Sequence, residues 1–280
     1  MSETFLPCKI VDRQWAEKLL DGEVFMRALS EFGCWEASSD IKDQNRKDIM
    51  EGAVASYVNP NDVDCLKGLD PSFKNIIGNV TLIDQGDLQF FKVFCLYCLE
   101  FEHNRPVLPD SRVEEFGDTA VIFRDFNSFL LRLFKAIESQ YLEHVELLDR
   151  INYYDINTNR RLNPLFEKTT KYAFQKELRF AFCAAEKNKF YIGPDPDNAY
   201  RIIWNKDRVT VNIGDIRDIS YSVPIGKFLD GTGIVMIAKN YFPLSGNLRV
   251  PYDYLVSKTR EEMKKYKPNM VIPMVTIFGK

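Results

Sequence analysis

Histidine is scarce in this chain, which has only His103 and His144 among its 280 residues. Serine and cysteine nucleophiles are usually activated by a histidine base, so mechanisms of that kind have few candidate bases here. The sequence also lacks a P-loop, a Gly-x-Gly-x-x-Gly turn after a strand and a Gly-x-Ser-x-Gly elbow. Any catalysis is therefore expected to depend on carboxylates.

Excess charge and long apolar runs are missing as well. The formal net charge is −3, which gives no global attraction to nucleic acid or to an anionic membrane, although a local basic groove is compatible with it. No apolar run approaches the ~18 residues of a membrane span. Residues 1–12 have neither the basic start nor the apolar stretch of a signal peptide. We therefore expect a cytoplasmic protein with no membrane partner.

The six cysteines do not indicate a metal centre. Several have apolar neighbours, which is typical of reduced, buried thiols: Cys8, Cys34, Cys95, Cys98 and Cys183. Cys95 and Cys98 form a Cys-x-x-Cys pair close to His103, but residues three apart in a strand point to opposite faces. The two thiols are then unable to converge on one ion, and no metal site is predicted.

The chain nevertheless has ample material for a core, because 45% of its residues are hydrophobic and 13% are aromatic. Apolar residues at helical spacing after Asp125 predict an amphipathic helix over 126–137. The opening predicts a strand at 7–11, a helix from Asp12 to the stop at Gly22, and a strand at 23–28. Further strands are predicted at 90–101, 119–123 and 175–183, the first and last of them in the interior of a sheet.

The expected fold class is therefore α/β (α+β), a single mixed-sheet domain spanning 1–280 with loop and C-terminal decorations, the latter at 193–280. The polar stretch 36–52 predicts a long, exposed and poorly packed loop, and 59–79 is also expected to be loop-rich. The remaining predicted elements are extended segments within 143–156, a short helix at 165–174, strands near 199–204, 208–213 and 233–238, a helix at 253–266 and a last strand at 270–278.

The segment 171–183 carries the most chemical information. As a strand, it has one mostly apolar face, formed by Phe174, Lys176, Leu178, Phe180 and Phe182. Its other face presents Gln175, Glu177 and Arg179 in a row. A strand anchored from behind can hold such a set rigidly for polar chemistry. An ordinary solvated strand face has the same pattern, and both interpretations stay open at this point.

Two motifs resemble those of ADP-ribosyltransferases. Gln175-x-Glu177 at the start of a strand resembles their Glu/Gln-x-Glu motif, and the strand–helix–strand at 9–28 resembles the opening of their fold. The block from Lys168 through Tyr172 to Arg179 also resembles the mRNA-modifying ADP-ribosyltransferase toxins of toxin–antitoxin–chaperone phage-defence systems. Neither a Ser-Thr-Ser strand nor a His-Tyr pair accompanies these motifs.

The resemblance implies that NAD is the substrate and that Glu177 and Gln175 are catalytic. When nicotinamide leaves, its ribose becomes oxocarbenium-like, as a sugar does in glycoside cleavage. Glu177 would bind the 2′-hydroxyl of that ribose and offset the developing positive charge. Gln175 would orient the acceptor, because an amide both donates and accepts hydrogen bonds.

The same resemblance implies a set of NAD-binding residues. Arg27 or Arg179 would contact the pyrophosphate, for which a forked guanidinium is well suited. Tyr172, one helical turn after Lys168, would stack on nicotinamide, with an ordinary helix face as the competing interpretation. Phe25 lies two residues before Arg27 on the second predicted strand. It belongs either to the wall of the cofactor site or to the core.

The implied acceptor is RNA, another nucleic acid or a protein, and the implied partners are an antitoxin and a chaperone. Two other functions stay open. One is a non-catalytic interaction protein of phage defence, which is expected to carry Glu177 on an open face and not in a cleft. The other is a metal-dependent enzyme that processes nucleic acid through two or three converging carboxylates.

Overall fold

A computed structural model describes residues 5–33, 48, 50–58, 80–84, 91–103, 105–186, 208–234 and 275–279. The strands in these ranges are β1 (Phe5–Val11), β2 (Glu23–Ala28), β3 (Ala53–Tyr57), β4 (Val80–Asp84), β5 (Lys92–Glu102), β6 (Arg105–Pro106), β7 (Thr119–Phe123), β8 (Tyr141–Arg150), β9 (Asn152–Tyr154), β10 (Arg160–Arg161), β11 (Glu167–Thr169), β12 (Glu177–Glu186), β13 (Arg208–Asn212), β14 (Ser220–Pro224) and β15 (Val275–Gly279). The α-helices are α1 (Arg13–Leu20), α2 (Phe126–Gln140) and α3 (Ile225–Leu229). Short 3-10 helices span Leu29–Gly33, Ser111–Phe116 and Thr170–Gln175. No helix within these ranges is long and apolar enough to cross a membrane.

The fold is mixed α/β and is built on one large antiparallel sheet of nine strands. Its central strand is β5, which pairs with β1 and β2 along different stretches and with β12 over residues 92–97. β12 pairs in turn with β8, so both strands predicted to be interior are confirmed as interior. The sequence predicted a mixed sheet, but the described pairings of this sheet are all antiparallel. A parallel pair, β9 with β11, lies outside it.

One face of the sheet is covered by α2, as the helical spacing predicted. The Asp125 carboxylate caps this helix, accepting hydrogen bonds from Ser128 N at 3.0 Å and Ser128 Oγ at 2.6 Å. The buried face of α2 packs against apolar side chains of β5 and β12, and the shared core includes Phe126, Phe129, Leu130, Leu133, Ile137, Phe94, Leu96, Leu178, Phe180 and Phe182. The predicted apolar face of β12 is therefore confirmed for Leu178, Phe180 and Phe182.

The opposite face of β12 is also buried, which overturns the solvated-strand interpretation. Ala181 and Val93 on this face belong to a second core with Tyr154, Leu165 and Phe166 from the segment after β8. Because this segment folds back over the sheet, β12 has an apolar layer on either side. Glu177 and Arg179 of β12 are therefore held inside the protein.

Several predicted boundaries change in the structure. Residues 175 and 176 were assigned to a strand, but β12 begins at Glu177, because Gln175 ends a 3-10 helix and Lys176 has left-handed backbone geometry at φ 39°. The prediction of a helix at 165–174 is wrong for Glu167–Thr169, which form β11 and pair with β9. Strands confirm the extended segments within 143–156 and, in their described parts, those at 208–213 and 270–278.

The 36–52 loop needs a correction at its C-terminal end. Asp48, Met50 and Glu51 are buried, with 2%, 8% and 3% exposure, and Glu51 forms ion pairs with Lys168 and Arg179. The prediction of an exposed, loosely packed stretch is therefore wrong for these residues. Most of that loop lies outside the described residues, as do the loop at 59–79, the elements predicted near 199–204 and 253–266, and residues 235–238 of the predicted 233–238 strand.

The turn after α1 gives a stability prediction. Gly22 has φ +95°, and a Cβ at this position would lie 2.1 Å from the carbonyl oxygen of Gly214. We expect Gly22→Ala to lower the free energy of unfolding by well over the roughly 1–2 kcal/mol that left-handed geometry alone costs, because two backbone segments must separate. Gly214→Ala is the matched control, since its φ is +76° but a Cβ there meets open space. Equal losses for the two variants in urea unfolding would contradict the steric argument.

Candidate functional site

Four buried charged side chains meet on the face of β12 that is opposite α2. We call Glu51, Lys168, Glu177 and Arg179 the charge cluster; their exposures are 3%, 6%, 4% and 1%. Glu51 lies just before β3, Lys168 lies on β11, and the other two lie on β12. The cluster is thus assembled from three separate stretches of the chain.

Each carboxylate of the charge cluster contacts both cations. Arg179 donates from Nε to Glu177 Oε1 and from Nη1 to Glu51 Oε1, both at 2.7 Å. Lys168 Nζ donates to Glu177 Oε2 at 2.7 Å and lies 3.1 Å from Glu51 Oε2. Two negative and two positive charges therefore form a closed, electrically balanced ring.

Neighbouring groups fix the ring in place. Arg179 Nη1 also donates to the Leu165 carbonyl at 2.8 Å, and Lys168 Nζ donates to Gln175 Oε1 at 3.1 Å. The backbone N–H of Glu177 donates to the Tyr153 hydroxyl at 3.0 Å. These contacts hold the start of β12 against β9 and β11, so the position of the Glu177 carboxylate is set by the backbone as well as by its ion pairs.

The pKa values of Glu177, Lys168 and Arg179 are all shifted towards their charged forms. Burial acts to raise the pKa of Glu177, but the charges of Arg179 and Lys168, with hydrogen bonds from Arg179 and Cys95, outweigh it and hold the pKa well below its usual value. Burial acts to lower the pKa of Lys168 and of Arg179, yet Glu177 and Glu51 raise both. Glu177 is therefore an ionised carboxylate inside the protein.

Asp48 is a third acid beside the ring. Burial, followed by the charge of Glu51, raises its pKa to about 6, against the opposing effects of Lys168, the Met50 N–H and Arg179. Its Oδ1 accepts from Met50 N at 2.9 Å, whereas its Oδ2 is buried without a hydrogen-bond partner among the described residues. Asp48 is the acid of this site that is able to change protonation near neutral pH.

The structure brings together three of the predicted site residues, Gln175, Glu177 and Arg179. Tyr172 is also close, since Lys168 Nζ lies 5.9 Å from its ring centroid, but Tyr172 is 3% exposed and packs in the core. Glu177 lies neither on an open face nor in an open cleft, because it is enclosed.

Arg27 and Phe25 stand apart from the charge cluster. Arg27 is exposed and pairs with Val93, so it lies on the same face of the sheet as the charge cluster. Its guanidinium carbon lies 5.8 Å from the Phe25 ring centroid. Phe25 is partly buried and stacks on Trp15 at 6.1 Å. None of the hydrogen bonds or ion pairs found in the described ranges joins either residue to the cluster.

Sequence reasoning missed Asp48 and Glu51, which it placed in an exposed loop. Lys168 falls within the helix predicted at 165–174, whereas it is a buried β-strand residue and a member of the ring. A signal was present, since two acids three residues apart immediately precede the apolar strand 53–57. Charges that close to a core strand indicate burial with partners from elsewhere in the chain.

The Cys95-x-x-Cys98 pair behaves as strand geometry predicted. Cys98 belongs to the core under α2, whereas Cys95 packs on the other face, beside Glu177. In the described part of the chain, no group of three or more His, Cys, Asp or Glu side chains is arranged to hold a metal ion.

Comparisons of the chain with protein-family models, with curated proteins and with solved structures gave no match.

Proposed function

We propose that this protein is an NAD-dependent ADP-ribosyltransferase whose active site is the charge cluster. The observation that carries the proposal is an ionised glutamate, Glu177, enclosed with two cations and a second glutamate at the start of a central strand. A buried ion-pair network is weak evidence for stability, because its desolvation cost rivals its Coulomb gain. Buried groups with strongly shifted pKa values are typical of functional sites.

In this proposal Glu177 stabilises the oxocarbenium-like ribose. An ionised carboxylate offers about four lone-pair positions to donors. Arg179, Lys168 and Cys95 donate to three of them, which leaves about one for the ribose 2′-hydroxyl of NAD. Because the carboxylate is already ionised and fixed, it needs no reorganisation when positive charge develops.

The contacts divide the other roles among the predicted residues. Arg179 donates to two carboxylates and a carbonyl, so its proposed role is to position Glu177. Arg27 is exposed on the same face of the sheet and is therefore the better candidate for binding the pyrophosphate. Lys168 fixes the amide of Gln175, which suits the proposed role of orienting the acceptor. Since Glu177 is only 4% exposed, the proposal requires covering residues to move before NAD binds.

Sequence resemblance alone supports the acceptor and the partners. RNA is the favoured acceptor, with another nucleic acid or a protein as alternatives, and an antitoxin with a chaperone is the proposed regulating partner. Tyr172 keeps its proposed place near nicotinamide only as part of the same rearrangement, because its ring is buried.

The test is nicotinamide release from NAD by the purified full-length chain, with and without RNA, DNA and total protein as acceptors. We expect release above the spontaneous rate and incorporation of labelled ADP-ribose into one acceptor class. The assay is run on protein from which any bound partner proteins have been removed. If NAD is not cleaved with any of the acceptors, the proposed function is overturned.

A further inference from the structure

Three buried polar atoms in and beside the charge cluster have no hydrogen-bond partner among the described residues. They are Asp48 Oδ2, Glu51 Oε2 and the Tyr154 hydroxyl, and the exposures of their residues are 2%, 3% and 4%. Glu51 Oε2 forms its ion pair with Lys168 without hydrogen-bond geometry. Buried polar atoms nearly always have a partner in the protein, in water or in a ligand. Atoms of this kind indicate that a hydrogen-bonding group binds here.

Asp48 lies one turn before Glu51, whose backbone N–H donates to the Asp48 carbonyl at 2.8 Å. The charges of Asp48 and Glu51 both act on the Tyr154 hydroxyl, and the charge of Glu51 acts on Asp48. Two of the three atoms are carboxylate oxygens, which only accept hydrogen bonds when ionised. The missing group is therefore a donor, such as an O–H.

A charge count singles out Asp48. Glu51 and Glu177 are balanced by Lys168 and Arg179, and the nearby Glu167 is paired with Arg160 at 2.7 Å. Asp48 forms no ion pair among the described residues, so it is the odd carboxylate of the site. Among the described residues, the titratable or charged groups that act on it or are acted on by it are Glu51, Lys168, Arg179, Tyr154 and Tyr172.

We propose that Asp48 is the general base of the site and that the acceptor of the transferred group is a hydroxyl. This inference rests on the proposed function. The acceptor oxygen bonds to C1′ of the ribose as the C1′–N bond breaks and its electron pair goes to the nicotinamide ring nitrogen. The acceptor proton passes to Asp48 Oδ2, and water is the simplest acceptor. Glu177 stabilises the ribose, while Asp48 acts on the attacking group.

The protonation behaviour of Asp48 suits this role. A general base is most effective when its pKa lies near the working pH, and burial beside Glu51 brings the pKa of Asp48 to about 6. The wild-type rate of NAD hydrolysis should therefore fall as the pH drops through about 6, where Asp48 takes up a proton.

The test compares Asp48→Asn with the wild type in NAD hydrolysis, using water as the acceptor. We expect nicotinamide release to fall by about 10²-fold, at the lower end of the usual contribution of a general base, and the acid limb of the pH profile to disappear. Formate added to Asp48→Ala should restore part of the rate, since it supplies a carboxylate that a purely structural role would not use. The midpoint of thermal unfolding at neutral pH should not fall in Asp48→Asn, because the variant loses an uncompensated buried charge.

Asp155→Asn is the matched control. Asp155 accepts a hydrogen bond from the backbone two residues ahead at 2.9 Å, as Asp48 does, but it is exposed and none of its described hydrogen bonds reaches the ring. This variant should keep the wild-type rate and pH profile. An active wild type with an equally active, equally pH-dependent Asp48→Asn would overturn this inference alone. A wild type that never cleaves NAD would overturn the proposed function and this inference with it.

Discussion

Replacing Arg179 with methionine is expected to lower the free energy of unfolding by about 3–5 kcal/mol. The side chain is 1% exposed and joins Glu51 to Glu177, so its loss leaves two buried carboxylates with Lys168 as their remaining ion-pair partner in the described part of the chain. The Leu165 carbonyl loses a donor as well. Typical domains are stable by 5–15 kcal/mol, so this single change removes a large share of the total. Equilibrium unfolding in urea at neutral pH measures it.

Arg217→Met is the control for that experiment. Arg217 forms ion pairs with three acids, Glu17, Asp21 and Asp215, but its side chain is 45% exposed. Exposed pairs are screened by water and contribute little, so the urea midpoint should barely move. Similar losses for Arg179→Met and Arg217→Met would show that Arg179 does not balance buried charge.

The pH dependence of the Arg179→Met effect has a definite sign. The pKa of Glu177 is depressed in the folded protein, so its ion pairs contribute their full stability above the ordinary glutamate value of 4.5, and this stability is lost as the pH falls from 4.5 through the lower pKa of the folded state. Arg179→Met weakens the cause of that depression. The difference between variant and wild type should therefore be largest at neutral pH and should shrink in acid.

Glu177→Gln is expected to reduce nicotinamide release by about 10²–10³-fold. Glutamine keeps the shape of the side chain but removes the negative charge that the proposed mechanism places beside the oxocarbenium-like ribose. The substitution also removes one of the two carboxylates that form ion pairs with Lys168 and Arg179. The rates should therefore be compared at a temperature where both proteins are fully folded. If the wild type is toxic on expression, cells should tolerate the variant at equal abundance.

Glu100 provides a close match for this comparison. It too bridges two cations, accepting from Arg150 and Lys176 at 2.6 Å each, but its side chain is 27% exposed and it lies outside the charge cluster. Glu100→Gln should therefore lose a similar pair of contacts and leave NAD turnover unchanged. If both glutamine variants kept the wild-type rate, Glu177 would have no part in the chemistry.

Local sequence patterns predicted the features that depend on residues close to one another in the sequence. The apolar spacing after Asp125 predicted α2, because each residue of a helix has its neighbours within one turn. Alternation predicted which side chains of β12 meet α2, since successive strand residues point to opposite faces. The opposite faces of Cys95 and Cys98 follow from the same geometry.

Patterns failed where a residue's environment comes from a distant segment. Glu51 and Arg179 are hydrogen-bonded although 128 positions separate them, so no local window identifies Glu51 as buried. The polarity of its neighbours predicted an exposed loop. The left-handed backbone at Lys176 likewise moved the start of β12 past Gln175, although the alternating sequence favours a continuous strand.

The sequence by itself determined the main strands, the capped helix α2 and the grouping of Gln175, Glu177 and Arg179, because residues two apart share a strand face or lie beside its end. Only the tertiary structure decided that these groups are buried, that Lys168 and Glu51 balance their charges, and that Asp48 has no ion-pair partner among the described residues. The physical reason is that burial and charge balance depend on which segments fold against β12. The packing of these segments against β12 depends on all the residues of the second core, which come from separate parts of the chain.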